Sequence, residues 1–212
     1  VLTEPGLSTI VKAINRSRMI FKRLESYIIY RLASSITILG FFVLSIIGLK
    51  FDFPTWTLIL LSIVNDFTVM ATSKDNVRAS PKPEYWDMKK LLSKAIIIGG
   101  LCVIHTFLLL YFVRSASYST TGGHQFVHDI GLGNLEDCEI VSVMYLCLCV
   151  TIQLNIFSAR NSKFFWQTSI EDDAAPPPHW LLSSLVGGAN LLSTFLAVYW
   201  DEGTKLGGGT AM

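Results

Sequence analysis

Charge is scarce in this sequence of 212 residues, and the charges that occur nearly cancel. Lys and Arg number 17 against 16 Asp and Glu, so 16% of the chain is charged and the net charge is +1 with His neutral. Soluble domains carry about 25% charged residues. A nucleic-acid-binding protein needs a basic excess, and a disordered chain needs low hydrophobicity with high net charge. The composition therefore argues against both classes, and we expect no nucleic-acid partner.

Cysteine is also scarce, and no metal-binding spacing is present. None of the four cysteines forms a Cys-x-x-Cys pair; three lie in apolar runs, and Cys138 stands alone. The segment 114–139 combines acidic residues with histidines, but their spacing matches no zinc pattern, and we interpret them as solvated: His124, His128, Asp129 and Glu136. The sequence therefore predicts no metal site, and no connecting segment is long enough to be a soluble catalytic domain.

Long apolar runs are what the sequence has in abundance. Hydrophobic residues make up 51% of the chain, and the mean hydropathy is +0.48. A helix that crosses a bilayer needs about 17–25 mostly apolar residues. Five runs meet this requirement: Tyr27–Leu49, Trp56–Thr72, Ala95–Val113, Ile140–Phe157 and Trp180–Trp200. We therefore predict an all-α, polytopic membrane helix bundle with five transmembrane helices and the lipid bilayer as a partner.

The basic residues predict how the chain is oriented in the membrane. Thirteen of the 17 lysines and arginines fall in the segments 1–26, 73–94 and 158–179, and three fall on the other side. Cytoplasmic loops carry the excess of Lys and Arg. The N-terminus and these two loops are therefore predicted to be cytoplasmic.

Two charged residues remain inside the apolar runs, Arg31 and Asp66. A carboxylate at mid-membrane costs about 2.5–3.5 kcal/mol, faces a bundle interior or a wet cavity, and commonly marks a proton or ion pathway. Counted from the predicted cytoplasmic ends at about 1.5 Å per residue, the two residues lie at similar depth on adjacent antiparallel helices. Asp66 is therefore a candidate proton carrier with Arg31 as its partner, and the neighbouring Asn65 is a candidate hydrogen-bond partner of the carboxyl group or of a cavity water. Two other interpretations stay open: Asp66 locks helices together, or Arg31 extends to the membrane interface.

Several motifs resemble the plasma-membrane proton-pumping P-type ATPases (type III). The start of the chain resembles the join between the phosphorylation domain and the fifth membrane helix of that family, and Tyr30–Ala33 is similar to the start of that helix in fungal members. Asn65–Met70 with the following loop is similar to the sixth helix in plant and protist members. The segments that carry the resemblance are Val1–Ser8, Ile14–Arg18, Phe21–Arg23, Tyr30–Ala33, Asn65–Met70, Ser73–Val77, Ser80–Pro83, Ile156–Asn161 and Ala197–Tyr199.

The resemblance assigns roles to residues of the first hairpin. Asp66 falls on the family's proton-carrying aspartate, and Arg31 falls on the arginine that fungal members pair with it. Plant members have their arginine at the position held here by Thr37, and Phe67 replaces the small residue that usually follows the aspartate. The resemblance thus implies that Asp66 binds the proton, with Arg31 and Asn65 at the gate.

The resemblance also implies a division of the chain. Residues 1–26 would join the phosphorylation domain, 27–72 would form a transport hairpin, and 73–94 would be a cytoplasmic loop. Residues 95–200 would add three transmembrane helices, and 201–212 would be a tail. The five helices would be the fifth to ninth of ten.

The Asp-Lys-Thr-Gly phosphorylation motif does not occur in this sequence. The resemblance therefore implies a C-terminal membrane-domain fragment with no catalytic residue of its own. ATP and Mg²⁺ would be cofactors of the intact proton-export pump, the rest of the pump chain its partner, and the plasma membrane its location. The alternatives are a non-catalytic truncated membrane protein and a fragment of a P-type Na⁺ or Ca²⁺ pump. A single intramembrane carboxylate does not favour the metal-ion pumps, because these ions take several oxygen ligands.

Overall fold

The computed structural model describes residues 7–51, 53–72, 75–77, 79, 87–118, 137–160 and 178–199. Within these residues the secondary structure is helical: α1 (Leu7–Leu49), α2 (Thr55–Ala71), α3 (Met88–Tyr118), α4 (Asp137–Arg160) and α5 (Trp180–Tyr199). Four of the helices, α1, α3, α4 and α5, are long and apolar enough to cross a membrane, and α2 is a shorter apolar helix. The all-α prediction is thus confirmed for the described residues. The four residues interpreted above as solvated, His124, His128, Asp129 and Glu136, lie outside them, as do Val1–Gly6 and the tail 201–212.

Each described helix coincides with a predicted apolar run, but three are longer than the run. α1 begins at Leu7, so the basic segment before Tyr27 continues the first apolar helix without a break. A salt bridge of 2.9 Å between Lys22 and Glu25, three residues apart on one helix face, supports this extension. Hydropathy marks the part of a helix that lies in an apolar environment. The helix itself is longer than this apolar part, because its backbone hydrogen bonds continue into polar sequence.

The helices pack in two groups that meet at α4. α1 packs most extensively against α3, whereas α2 packs against α4 and α5, and α4 contacts all four of the other helices. The core between them is apolar, with its largest fully buried side chains on α1, α3, α4 and α5: Tyr30, Phe41, Leu110, Ile140, Met144, Leu148, Ile152, Ile156 and Leu182. Although a short turn joins α1 and α2, these two helices are not an extensively packed pair. Side chains rather than close backbones therefore connect them.

The turn between α1 and α2 has a defined geometry. Lys50 adopts a left-handed φ of 50°, and its N–H donates to the carbonyl of Ile46 at 3.1 Å, which ends α1. Pro54, in an extended conformation, is the N-cap of α2. The Arg114 guanidinium of α3 donates to the Leu49 carbonyl at 2.6 Å and so satisfies a free carbonyl at the end of α1.

The outward faces of the helices are strongly apolar. Large hydrophobic side chains are exposed along α1, α2, α3 and α5, and at Leu154 on α4; among the former are Leu39, Ile47, Ile63, Met70, Ile97, Leu101, Leu191 and Val198. Soluble monomers rarely expose continuous apolar surface of this kind. Such a surface is stable where lipid or further apolar helices cover it, as in a helical membrane protein.

Candidate functional site

Two consecutive residues of α1 meet two consecutive residues of α2. The Tyr30 hydroxyl donates to the Asn65 side-chain carbonyl, and the Arg31 guanidinium donates to the Asp66 carboxylate in a salt bridge. The two pairs form a direct polar link between α1 and α2, whose backbones are not closely packed along their length.

The two pairs differ sharply in burial. Tyr30 is 1% exposed and Asn65 is 4% exposed, so the neutral pair lies inside the bundle. The Arg31 and Asp66 side chains are 45% and 58% exposed, so the ion pair lies at the bundle surface. The contact between α1 and α2 therefore has a neutral hydrogen bond on its buried side and an ion pair on its exposed side.

The position of Asp66 differs from the expectation that it faces a bundle interior or a wet cavity. Its side chain is 58% exposed and pairs with Arg31 of α1 at the edge of the bundle, whereas α2 packs its buried side against α4 and α5. Its neighbours on the same face of α2 are exposed and apolar, among them Ile63 at 60% and Met70 at 73% exposure. A lone carboxylate on an apolar face is costly. The adjacent guanidinium of Arg31 offsets that cost by neutralising the charge.

The structure gives Asn65 a partner that the sequence does not predict. Asn65 is a candidate partner of the Asp66 carboxyl group or of a cavity water, and its side-chain oxygen accepts from the Tyr30 hydroxyl. Asn65 is one residue, or about 100° of helix rotation, from Asp66, so the two side chains point to different sides of α2. Tyr30 itself was missed, because a tyrosine in an apolar run gives no sign that its hydroxyl has a partner 35 residues away.

The hydroxyl groups near this site are used within α1. Ser34, Ser35 and Thr37 donate to the carbonyls of Tyr30, Arg31 and Ala33 at 2.8, 2.9 and 2.8 Å. Such bonds satisfy a hydroxyl in an apolar setting without a partner on another helix. Thr37, at the position where plant proton pumps have their arginine, is fully buried. It therefore adds no polar group to the ion pair.

A small cavity lies between α2, α4 and α5 at the opposite end of α2. Thr57, Leu60, Tyr145 and Leu196 are among its lining residues. Thr57 precedes Asp66 by nine residues, which is about 180° of rotation around α2 at 3.6 residues per turn. The cavity is therefore on the face of α2 opposite to the ion pair and does not open toward Asp66.

Polar side chains also join α3 to α4. The Asn155 amide of α4 donates to the Cys102 sulfur of α3 at 3.2 Å. This contact agrees with the interpretation of single polar residues in apolar runs as links between helices.

The fold and the site together define a class: a helical bundle with apolar outer faces, four helices long and apolar enough to span a membrane, and an ion pair between two helices. No protein-family model matches the chain. What the protein does is therefore inferred from the site and from the sequence motifs that surround it.

Proposed function

We propose that this chain is the membrane part of an ATP-driven proton-export pump of the plasma membrane, in which the Asp66 carboxyl group carries the proton. The observation that supports the proposal is the contact between Arg31 and Asp66. Arginine keeps its positive charge at every physiological pH. The ion pair is therefore complete only when Asp66 has released its proton, and the site has two states that differ by one proton.

The two states suggest how the pair serves transport. When Asp66 binds a proton, the carboxyl group becomes neutral and Arg31 loses its ionic partner. When the proton leaves, Arg31 can pair with the carboxylate again and compete with a returning proton for it. Arg31 thus acts as a gate against back-flow, and the Tyr30–Asn65 hydrogen bond holds α1 and α2 in register beside it.

The surface position of the ion pair fits a larger bundle. In the proposed pump, further helices of the same protein would cover the face that carries Arg31 and Asp66, since a half-exposed ion pair with apolar neighbours is poorly suited to lipid. Phosphorylation and ATP hydrolysis, with ATP and Mg²⁺ as cofactors, would belong to the rest of the pump. The cytoplasmic part of α1 would connect that machinery to Arg31.

The first test is whether an in-frame coding sequence with an Asp-Lys-Thr-Gly motif precedes Val1. The second uses the full-length protein in sealed vesicles supplied with ATP. We expect Asp66→Asn to abolish ATP-dependent acidification, because an amide cannot pick up and release a proton. Asp87→Asn is the matched control, since Asp87 lies outside the apolar runs and pairs with Lys90 on the surface at 3.3 Å. Undiminished acidification by the Asp66→Asn protein would refute the carrier role.

The same vesicles separate the other functions. Proton flux that needs no ATP would indicate a passive conductor, and the absence of any flux would indicate a non-catalytic membrane protein. ATP-dependent uptake of Na⁺ or Ca²⁺ without acidification would indicate a metal-ion pump.

A further inference from the structure

A second ion pair lies at the predicted cytoplasmic end of the bundle. The Arg160 guanidinium, at the end of α4, donates to the Asp75 carboxylate just after α2. The backbone N–H of His179, which immediately precedes α5, donates to the other carboxylate oxygen at 3.3 Å. A single carboxylate therefore connects α2 to both α4 and α5. We call the group Asp75, Arg160 and His179 the Asp75 junction.

The Asp75 junction is buried, unlike the pair at Asp66. The side chains of Asp75 and Arg160 are 6% and 10% exposed. The Asn76 N–H also donates to Asp75, at 2.9 Å, and the second guanidinium branch of Arg160 donates to the Asn76 carbonyl at 3.2 Å. A buried ion pair is costly to break by removing one partner, because the other charge is then left without compensation. The junction is therefore a rigid connection.

The local structure on each side of the junction is equally fixed. The Asp75 N–H donates to the carbonyl of Thr72, the C-cap of α2, at 3.1 Å. The His179 ring accepts from the Leu181 N–H at 3.2 Å, which caps the start of α5. These hydrogen bonds connect the Asp75 backbone to the end of α2 and the His179 ring to the start of α5.

The connection of α2 to α1 is different in kind. α2 packs against α4 and α5 along its length and is joined to them again at the Asp75 junction. It reaches α1 mainly through two side-chain pairs, the buried Tyr30–Asn65 hydrogen bond and the half-exposed Arg31–Asp66 ion pair. The boundary between α1 and α2, which contains Arg31 and Asp66, therefore depends on side-chain contacts more than on backbone packing.

We propose that Asp75 is a positioning residue that fixes α2 to α4 and α5, so that these helices move as one unit and access to Asp66 changes by movement of α1 relative to α2. This proposal rests on the proposed function, because it gives the movement a role in proton access. Asp75 acts on Asp66 only through α2, because it lies nine positions further along the chain and their side chains are not in contact.

The experiment measures two distances in the full-length protein in lipid nanodiscs by pulsed electron paramagnetic resonance. Spin labels are introduced as non-natural amino acids, so that the native cysteines stay in place. One pair of labels, at Met70 and Ser184, reports on α2 and α5; the other, at Leu24 and Met70, reports on α1 and α2. We expect a single narrow Met70–Ser184 distance that is the same with and without ATP, and a Leu24–Met70 distance that changes with ATP.

Asp75→Asn removes the charge of the junction and keeps the side-chain size. We expect it to abolish the narrow Met70–Ser184 distance and to lower the number of protons moved per ATP, while Asp75→Glu keeps both near the wild-type values. Asp87→Asn, which breaks a surface pair at the same end of the bundle, should change neither.

The outcomes separate this proposal from the proposed function. An unchanged narrow Met70–Ser184 distance in the Asp75→Asn protein overturns the proposal, whatever Asp66→Asn does. A broadened distance with an unchanged proton-to-ATP ratio also overturns it, because α2 is then free without consequence for transport. If Asp66→Asn pumps normally, the proposed function fails, and with it the role of the junction in proton access. A broadened distance would in that case still support the connection of α2 to α4 and α5.

Discussion

Two adjacent glycines of α3 allow a sharp test of how closely α1 and α3 pack. A Cβ atom added to Gly99 would lie 2.9 Å from the Ala33 carbonyl oxygen and 3.0 Å from both Cβ and Cγ2 of Ile36. A Cβ atom added to Gly100 would meet nothing within 4 Å. Gly99→Ala therefore forces α3 away from the backbone of α1, while Gly100→Ala adds a methyl group on an open face.

The expected difference follows from two opposing effects. Replacing a mid-helix glycine by alanine favours the helix by up to about 1 kcal/mol, and this gain is the same at both positions. Overpacking typically costs about 1–3 kcal/mol, and here it applies to Gly99 alone because the closest atom belongs to the backbone and cannot rotate away. The free energy of unfolding of the Gly99→Ala protein should therefore be about 1–3 kcal/mol lower than that of the Gly100→Ala protein.

Both variants can be compared with the wild type by reversible unfolding in lipid bicelles or by thermal unfolding in a mild detergent. We expect Gly100→Ala to be as stable as the wild type or slightly more stable, and Gly99→Ala to be less stable than either. A Gly99→Ala protein as stable as the Gly100→Ala protein would refute the close α1–α3 contact at Ala33.

Two further variants test individual hydrogen bonds with the same unfolding assay. Tyr30→Phe leaves the buried Asn65 oxygen without its donor and should lower the free energy of unfolding by about 1–3 kcal/mol. Tyr111→Phe is the control, because Tyr111 is exposed. Equal stability of the two variants would contradict the hydrogen bond between Tyr30 and Asn65. Arg114→Met keeps an apolar side chain but removes the charged donor to the Leu49 carbonyl, so we expect a loss of no more than about 1.5 kcal/mol. An unfolding midpoint of the Arg114→Met protein equal to that of the wild type would show that water replaces the Arg114 hydrogen bond to the Leu49 carbonyl without cost.

The helices were predictable because their apolar residues form long runs. The ends of those runs were a poorer guide to where the helices begin and end. Trp180 starts both the predicted run and α5, whereas α3 starts at Met88, seven residues before the predicted Ala95. Lys89, Lys90 and Lys94 lie in that interval. Such residues leave the apolar environment without leaving the helix, since lysine is a good helix former.

The site was predictable in part. Matching depth on adjacent helices brought Arg31 and Asp66 to attention, since charge in an apolar run is rare. Depth along a helix contains no information about the direction of a side chain, so it did not reveal that Asp66 faces outward. The ion pair between Asp75 and Arg160 was missed for another reason, since the two residues are 85 positions apart and both lie at the edges of loops. Charged residues in loops are normally solvated, so their positions helped only to assign the side of the membrane.

The continuity of α1 has a mechanical consequence. Its 43 residues contain no proline, and none of the first 33 is a glycine, so the helix acts as a stiff rod about 64 Å long. Pivoted where Ala33 meets Gly99, a tilt of about 10° displaces the Leu7 end by about 7 Å, since that arm is about 39 Å long. Arg31 lies two residues from the pivot and moves by well under 1 Å. Such a tilt would therefore convert a large displacement at the Leu7 end of α1 into a small displacement at the ion pair.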